Sequence, residues 1–131
     1  MAAIPEAFED IMNSKALAAL ATVMEDGRPQ VTPVWFQWDG SHVLINSAEG
    51  RIKDRNMRRN PQVALTIVDV GNPYRHVAIR GTIDEITLEG ADDHIDKLAK
   101  KYLDKDKYPF RAEGEVRVIY KVRPDRVATM G

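Results

Sequence analysis

The stretch Ser47-Ala48-Glu49-Gly50-Arg51-Ile52-Lys53-Asp54-Arg55-Asn56-Met57-Arg58-Arg59-Asn60-Pro61 decides how this chain is read. One strand-like run, His42–Ile45, precedes it and another, Val63–Val68, follows it. Between them the pattern is a strand end, a glycine turn, one short helix and a proline stop. Arg51, Lys53, Arg55, Arg58 and Arg59 put five basic residues into nine positions. A glycine turn that enters a helix N-terminus turns unpaired N–H groups and the positive end of the helix dipole toward any anion. The expectation is that a phosphorylated or carboxylated ligand is held here.

Placed on a helix at about 100° per residue, Arg51, Arg55, Arg58 and Arg59 share one side. Lys53 falls on the other, near Ile52, Asn56 and Met57. A solvated face explains the arginines, as it explains most charge runs. It explains Lys53 less well, because a lysine on a packed face needs an escape to water or an anionic partner. The alternative is that Arg51 and Lys53 grip a phosphate at the glycine turn while the other arginines attract an extended acidic tail. Arginine can fork onto carboxylates, and lysine acts as a point charge.

Working outward, Pro5–Asn13 reads as a short helix with Phe8, Ile11 and Met12 on one face. Strands are expected over Leu17–Met24, Gln30–Trp38, His42–Ser47, Gln62–Asp69, Tyr74–Glu85 and Val116–Val122. Asp26-Gly27 and Asp39-Gly40 supply hairpin turns. Gly81 is a position for a bulge or a close approach. Leu88–Leu103 is the clearest helix, with Ile95, Leu98, Ala99 and Tyr102 in one stripe. Residues 104–114 form a polar loop, Arg123-Pro124-Asp125 is expected to end the sixth strand, and Arg126–Met130 to form a short last one. Strands at hairpin spacing without a βαβ rhythm predict a mainly β fold, an antiparallel barrel with helices on its rim.

The 131 residues suit one domain with one core, spanning 1–131. A net charge of −1 argues against a surface built for nucleic acid. The absence of cysteine excludes disulfides, thiolate metal sites and a cysteine nucleophile, and it fits a reducing cytosol. No basic-then-apolar leader is read at the N-terminus, and no apolar run reaches the length of a membrane span. The expected localisation is cytoplasmic.

Three groups of residues carry a resemblance. They are Gly27-Arg28-Pro29-Gln30-Val31-Thr32-Pro33-Val34-Trp35-Phe36, then Ile45-Asn46-Ser47-Ala48 running into Arg51-x-Lys53-x-Arg55-Asn56, then Arg58-Arg59-Asn60-Pro61-Gln62-Val63. With Gly81 and Tyr120-Lys121-Val122-Arg123-Pro124-Asp125-Arg126-Val127, they resemble the split β-barrel, pyridoxamine-phosphate-oxidase-like superfamily that binds flavin or deazaflavin. Within it, the chain is most similar to the branch that uses coenzyme F420. The resemblance implies an antiparallel split β-barrel with short peripheral helices and a homodimer with cofactor sites at the subunit interface. By position, Thr32, Pro33, Val34, Trp35, Asn46, Ser47 and Ala48 would line the ring system and ribityl chain. Arg51, Lys53, Arg55 and Asn56 would hold the phosphate or tail, with Arg58 joining the acidic-tail contacts. The strand Tyr74–Ile79, including His76, would come from the neighbouring subunit. The implied activity is hydride transfer between the deazaflavin and a small unsaturated or conjugated organic substrate. FMN chemistry on the same fold is the alternative, and so is a non-catalytic carrier that binds cofactor and turns over no acceptor. The oligoglutamate tail of F420 accounts for more arginines than the single phosphate of FMN does.

Other candidates weigh less. Trp35 and Phe36 cannot face the same side of a strand, and Trp35 is the one expected at a ring pocket. His42, His76 and His94 show no metal-ligand spacing, so no metal is expected. Asp92, Asp93 and Asp96 read as a solvated helix face. Ser14, Ser41 and Ser47 lack a nucleophile-elbow context. Tyr108-Pro109-Phe110 is either a lid or substrate wall, or an anchored loop.

Overall fold

The computed structural model describes residues 1–131. A 3-10 turn (Glu6–Phe8) runs into α1 (Glu9–Met12), which precedes β1 (Ala18–Val23), β2 (Pro29–Val34), β3 (Phe36–Trp38) and β4 (Val43–Ala48). Then come α2 (Ile52–Arg59), β5 (Gln62–Val68), β6 (His76–Thr87), α3 (Ala91–Leu103) and β7 (Arg117–Met130). All seven strands join one sheet in the order β2-β1-β5-β6-β7-β4-β3, and each pairing is antiparallel. This is the curled half-barrel that the hairpin spacing predicts.

The two edges of the sheet, β2 and β3, are consecutive in the chain and meet at Trp35. The sheet therefore curls until its edges join through a covalent corner. The single strand expected over Gln30–Trp38 is in fact two, because this segment leaves β1 and crosses to β4. The corner holds because side chains of α3 take the backbone hydrogen bonds that a ladder would have supplied. Phe36 N–H donates to Tyr102 Oη at 3.2 Å, Lys101 Nζ donates to the Phe36 carbonyl at 2.7 Å, and Tyr102 Oη donates to the Ala16 carbonyl at 2.8 Å.

Alternation along the strands fills the barrel. Leu20, Ile45, Leu65, Ile67, Val77, Ile79, Val118, Tyr120 and Val122 point inward with Phe36 and with Met57 of α2. A second buried layer forms where Ala91, Ile95, Leu98 and Ala99 of α3 lie over Ala48 and Ile119 on the outer face.

The strand break expected at Arg123-Pro124-Asp125 does not occur, since β7 runs through it. Pro124 lies opposite Gly81, where the register of β6 against β7 shifts. The bulge absorbs a residue that cannot donate to the ladder. Glycine is required on the other side: a Cβ at position 81 would stand 2.6 Å from Val122 Cγ1 and 2.7 Å from the Arg123 carbonyl oxygen. Gly81→Ala should therefore lower stability by about 1–3 kcal/mol, the usual cost of overpacking. Thermal unfolding of the variant beside wild type measures this.

Candidate functional site

The glycine turn and α2 form as the pattern predicts. Gly50 adopts φ +87°, in the left-handed region, and Arg51 is the extended N-cap residue. What holds the turn is a residue the sequence pattern does not single out. Asp54, 3 % exposed, accepts from Gly50 N–H at 3.0 Å, from Arg58 Nε at 2.9 Å, and from the hydroxyl of Tyr120 in the barrel core. Burial by itself would raise the Asp54 carboxyl. The hydrogen bonds from Tyr120, Gly50 and Arg58 outweigh it and hold the group below its ordinary value. Asn56 also turns inward, donating to Thr22 Oγ1 at 3.0 Å and to Met24 Sδ at 3.3 Å, so its side chain ties α2 to β1.

The basic residues divide. Arg58 is held by Asp54, and Arg51 pairs with Glu115 at 3.0 Å. Arg55 and Arg59 are exposed, and Arg59 donates only to Asn56 Oδ1 at 3.4 Å. Lys53 is half-buried and has no carboxylate partner. Burial lowers its pKa, and the nearby charges of Arg51 and Arg117 lower it further. A group in that state is stabilised by an anion, whose charge offsets both effects.

Beside this cluster lies a cavity of about 250 Å³ lined by Leu17, Pro33, Val34, Trp35, Asn46, Ile95, Tyr108, Phe110 and Arg117. Four of the expected ring-lining residues, Pro33, Val34, Trp35 and Asn46, meet there. Trp35 stacks on Tyr102 at 5.2 Å, Tyr108 meets Trp35 edge-on at 5.9 Å, and Phe110 meets Tyr108 at 5.8 Å. The Tyr108-Pro109-Phe110 segment is therefore a wall of the cavity. Its anchor is the acidic face of α3, which is not simply solvated. Asp96 accepts from Tyr108 N–H at 2.9 Å, and Arg111 reaches Asp92 at 2.6 Å.

Thr32, Ser47, Ala48 and His76, also expected at the site, do not line this cavity. Ser47 faces the barrel interior, opposite to Asn46, and its hydroxyl is buried without a partner. Thr32 is half-buried across from Leu20 of β1. His76 stands at the start of β6, between Val68 and Met130 on the neighbouring strands. Ala48 is buried at the end of β4, where the chain turns toward α2. A larger cavity, about 470 Å³, opens elsewhere, between β1, β5 and β6, with Ala21, Ala64, Arg80 and Gly81 on its walls.

The pyridoxamine 5'-phosphate oxidase family model matches residues 4–131. Among solved structures, an F420 reductase shares 35% identity over 95% of this chain and 98% of its own, with a TM-score of 0.86. The chain belongs to the pyridoxamine 5'-phosphate oxidase family. Two more distant likenesses bear on the fold alone. The conserved hypothetical protein Rv2991 of Mycobacterium tuberculosis is 23% identical over 97% of this chain and 84% of its own, with a TM-score of 0.73. HupZ of Group A Streptococcus is 24% identical over 96% and 93%, with a TM-score of 0.66.

Within this family fold, Arg117, Glu115, His94 and Asp54 are the site features that sequence reasoning missed. Arg117 and His94 signal themselves only as polar residues in apolar runs, and no pattern says which face α3 will cover. His94 is buried, and burial followed by the charges of Lys97 and Arg117 pushes its pKa down to about 4. Asn46 Nδ2 donates to His94 Nδ1 at 3.1 Å, which leaves the proton of the neutral ring on Nε2.

Asp54 gives a pH test. Its folded pKa lies below the ordinary value of 3.8, so its contribution to stability is complete above 3.8 and is lost as pH falls through the lower folded value. Asp54→Asn should cost about 1–3 kcal/mol at neutral pH. It should also flatten the acid limb of the stability curve. Denaturant unfolding across the acid range reads both effects.

Proposed function

We propose that this chain is an F420-dependent oxidoreductase, acting in the cytosol on a small unsaturated or conjugated organic acceptor. The observation that carries the reading is Lys53, a half-buried cation without a carboxylate, beside Arg51 and Arg117 and next to an aromatic cavity. These residues fit a flat ring attached to an anionic arm. Bound there, the deazaflavin supplies or accepts the hydride. The chain's own part is to bind, orient and shield. Lys53, Arg51 and the first-turn N–H groups of α2 would hold the phosphate. Pro33, Val34, Trp35 and Asn46 would flank the ring, with Thr32, Ser47 and Ala48 along the ribityl chain. Arg55, exposed and free of ion pairs, would meet the acidic tail with Arg59, and Arg58 would join through the part of its guanidinium that Asp54 leaves free. Asn56 would serve by fixing the helix that carries them. The solved F420 reductase relative supports this choice.

FMN is the second reading, and one observation favours it. Arg51 and Arg58 are already paired within the chain, which reduces the positive surplus to one that a single phosphate could match. Side-by-side titration with F420 and FMN, followed by the fluorescence of Trp35 and Trp38, should show preference for F420. Preference for FMN would overturn the cofactor assignment and keep the phosphate site. Lys53→Ala should weaken binding of either by about 2–5 kcal/mol, the size of a lost desolvated charge pair. An unchanged affinity would remove Lys53 from the site.

The reading includes a homodimer that brings His76 to the partner's cofactor. Two features support it. The cross-strand row Ala19–Thr66–Ala78–Ala128, with Ala21 and Ala64 beside it, gives the sheet an outer face of small side chains bordered by Arg80 and Arg126, on which a second sheet could seat closely. Val68, Tyr74 and Met130 leave an exposed apolar rim around His76. Sedimentation equilibrium should return a dimer for wild type and a monomer for Ala64→Arg; a wild-type monomer would overturn this part.

A further inference from the structure

We propose that the cavity beneath Tyr108 and Phe110 is a site for a flat, conjugated ligand bearing an anionic oxygen, and that Arg117 is its anchor. This deepens the reading above and rests on it for the source of the ligand, which is either the reduced cofactor ring or the acceptor.

Arg117 is 4 % exposed and is the one charged residue lining the cavity. Its Nε donates to Asn46 Oδ1 at 2.9 Å and its Nη1 to Glu115 Oε1 at 3.0 Å, while the guanidinium lies 5.1 Å from the centre of the Tyr108 ring. These contacts fix its plane and leave Nη2 without a protein acceptor. Asn46 is itself held by His94 and by the Ala91 carbonyl, so the guanidinium has no room to reorient. Nη2 is therefore the open donor of an otherwise held guanidinium, and a negative oxygen in the cavity would complete its set with a charge-assisted hydrogen bond.

The local charge balance points the same way. Arg51 and Arg117 share a single buried carboxylate, Glu115, and Lys53, close enough to feel both arginines, has none. His94 is neutral and adds nothing. The site thus carries a positive surplus. The other walls are aromatic or aliphatic, with Trp35, Tyr108 and Phe110 offering ring faces and edges. Together they select planarity through the walls and a negative oxygen through Nη2. Both a reduced deazaflavin or flavin ring and a conjugated carbonyl or carboxylate acceptor have that character. In either case Arg117 stabilises the negative charge that the oxygen holds or gains when hydride is transferred between reduced cofactor and acceptor.

The probe is trans-cinnamate, with cinnamyl alcohol as its neutral counterpart, titrated calorimetrically into cofactor-free protein. Cinnamate should bind roughly tenfold or more tightly than the alcohol, the scale of one charge-assisted hydrogen bond. Arg117→Met should abolish that preference, and Arg117→Lys should restore only part of it, because lysine lacks the fork. If Arg117→Met fails to fold, the lysine variant and Phe110→Ala carry the test. Phe110 is 67 % exposed, and its removal should weaken cinnamate and alcohol equally. Equal affinity of wild type for the two probes, or no change in Arg117→Lys, would overturn the proposal. Adding F420 or FMN then separates the sources: displacement of cinnamate assigns the cavity to the cofactor ring, and simultaneous binding assigns it to the acceptor. Loss of cofactor binding in Lys53→Ala with the cinnamate preference intact shows that the two claims stand separately.

Discussion

Asp54 carries a full negative charge in the wall of the barrel, and three donors keep it there: a core tyrosine, a turn glycine and an arginine one helical turn along. Everything at the site hangs from this arrangement. It fixes the first turn of α2 against Tyr120 of β7, and it sets the left-handed turn at Gly50. It also takes up Arg58. Lys53 is then left as the half-buried cation of α2 without a carboxylate. A buried carboxylate is an expensive anchor unless its donors are complete, and the core hydroxyl of Tyr120 completes this set.

The cavity beside it is a by-product of barrel closure. The chain must turn a corner at Trp35 to join the two edges of the sheet, and a corner leaves backbone groups unpaired. Tyr102 and Lys101 of α3 satisfy them. Lys101 does so as a half-buried amine over the Phe36 ring at 4.3 Å, with its pKa brought down to about 8 by burial. The same helix stacks Tyr102 on Trp35 and pins the 104–114 loop through Asp92 and Asp96. One helix thus closes the barrel, builds the aromatic wall and positions Asn46 above Arg117.

Much of this was legible in the residues. The basic helix, its glycine turn and its proline stop were read at their positions, because capping and breaker chemistry is local. The strand runs and the Gly81 bulge were read for the same reason. The resemblance supplied the family, and four residues it places near the ring, Pro33, Val34, Trp35 and Asn46, line one cavity. The features that were missed are those created by tertiary contact. Gln30–Trp38 looks like one strand, since nothing local says that Tyr102 and Lys101 will hold a corner open. Pro124 looks like a break, since the glycine that accommodates it lies 43 positions earlier in the chain. Asp54 looks like one more surface acid on a charged helix until Tyr120 is seen behind it. Asp96 looks solvated until the loop that it anchors is in place.

The central claim is that Lys53 waits for the phosphate of a bound cofactor. The most direct measurement is the titration of the Lys53 amine by NMR in selectively labelled protein, with and without F420 or FMN. The account predicts a pKa below the ordinary lysine value of 10.5 in the free protein, and a clear rise when the phosphate-bearing ligand binds. A Lys53 pKa that does not move on saturation with either ligand would contradict it.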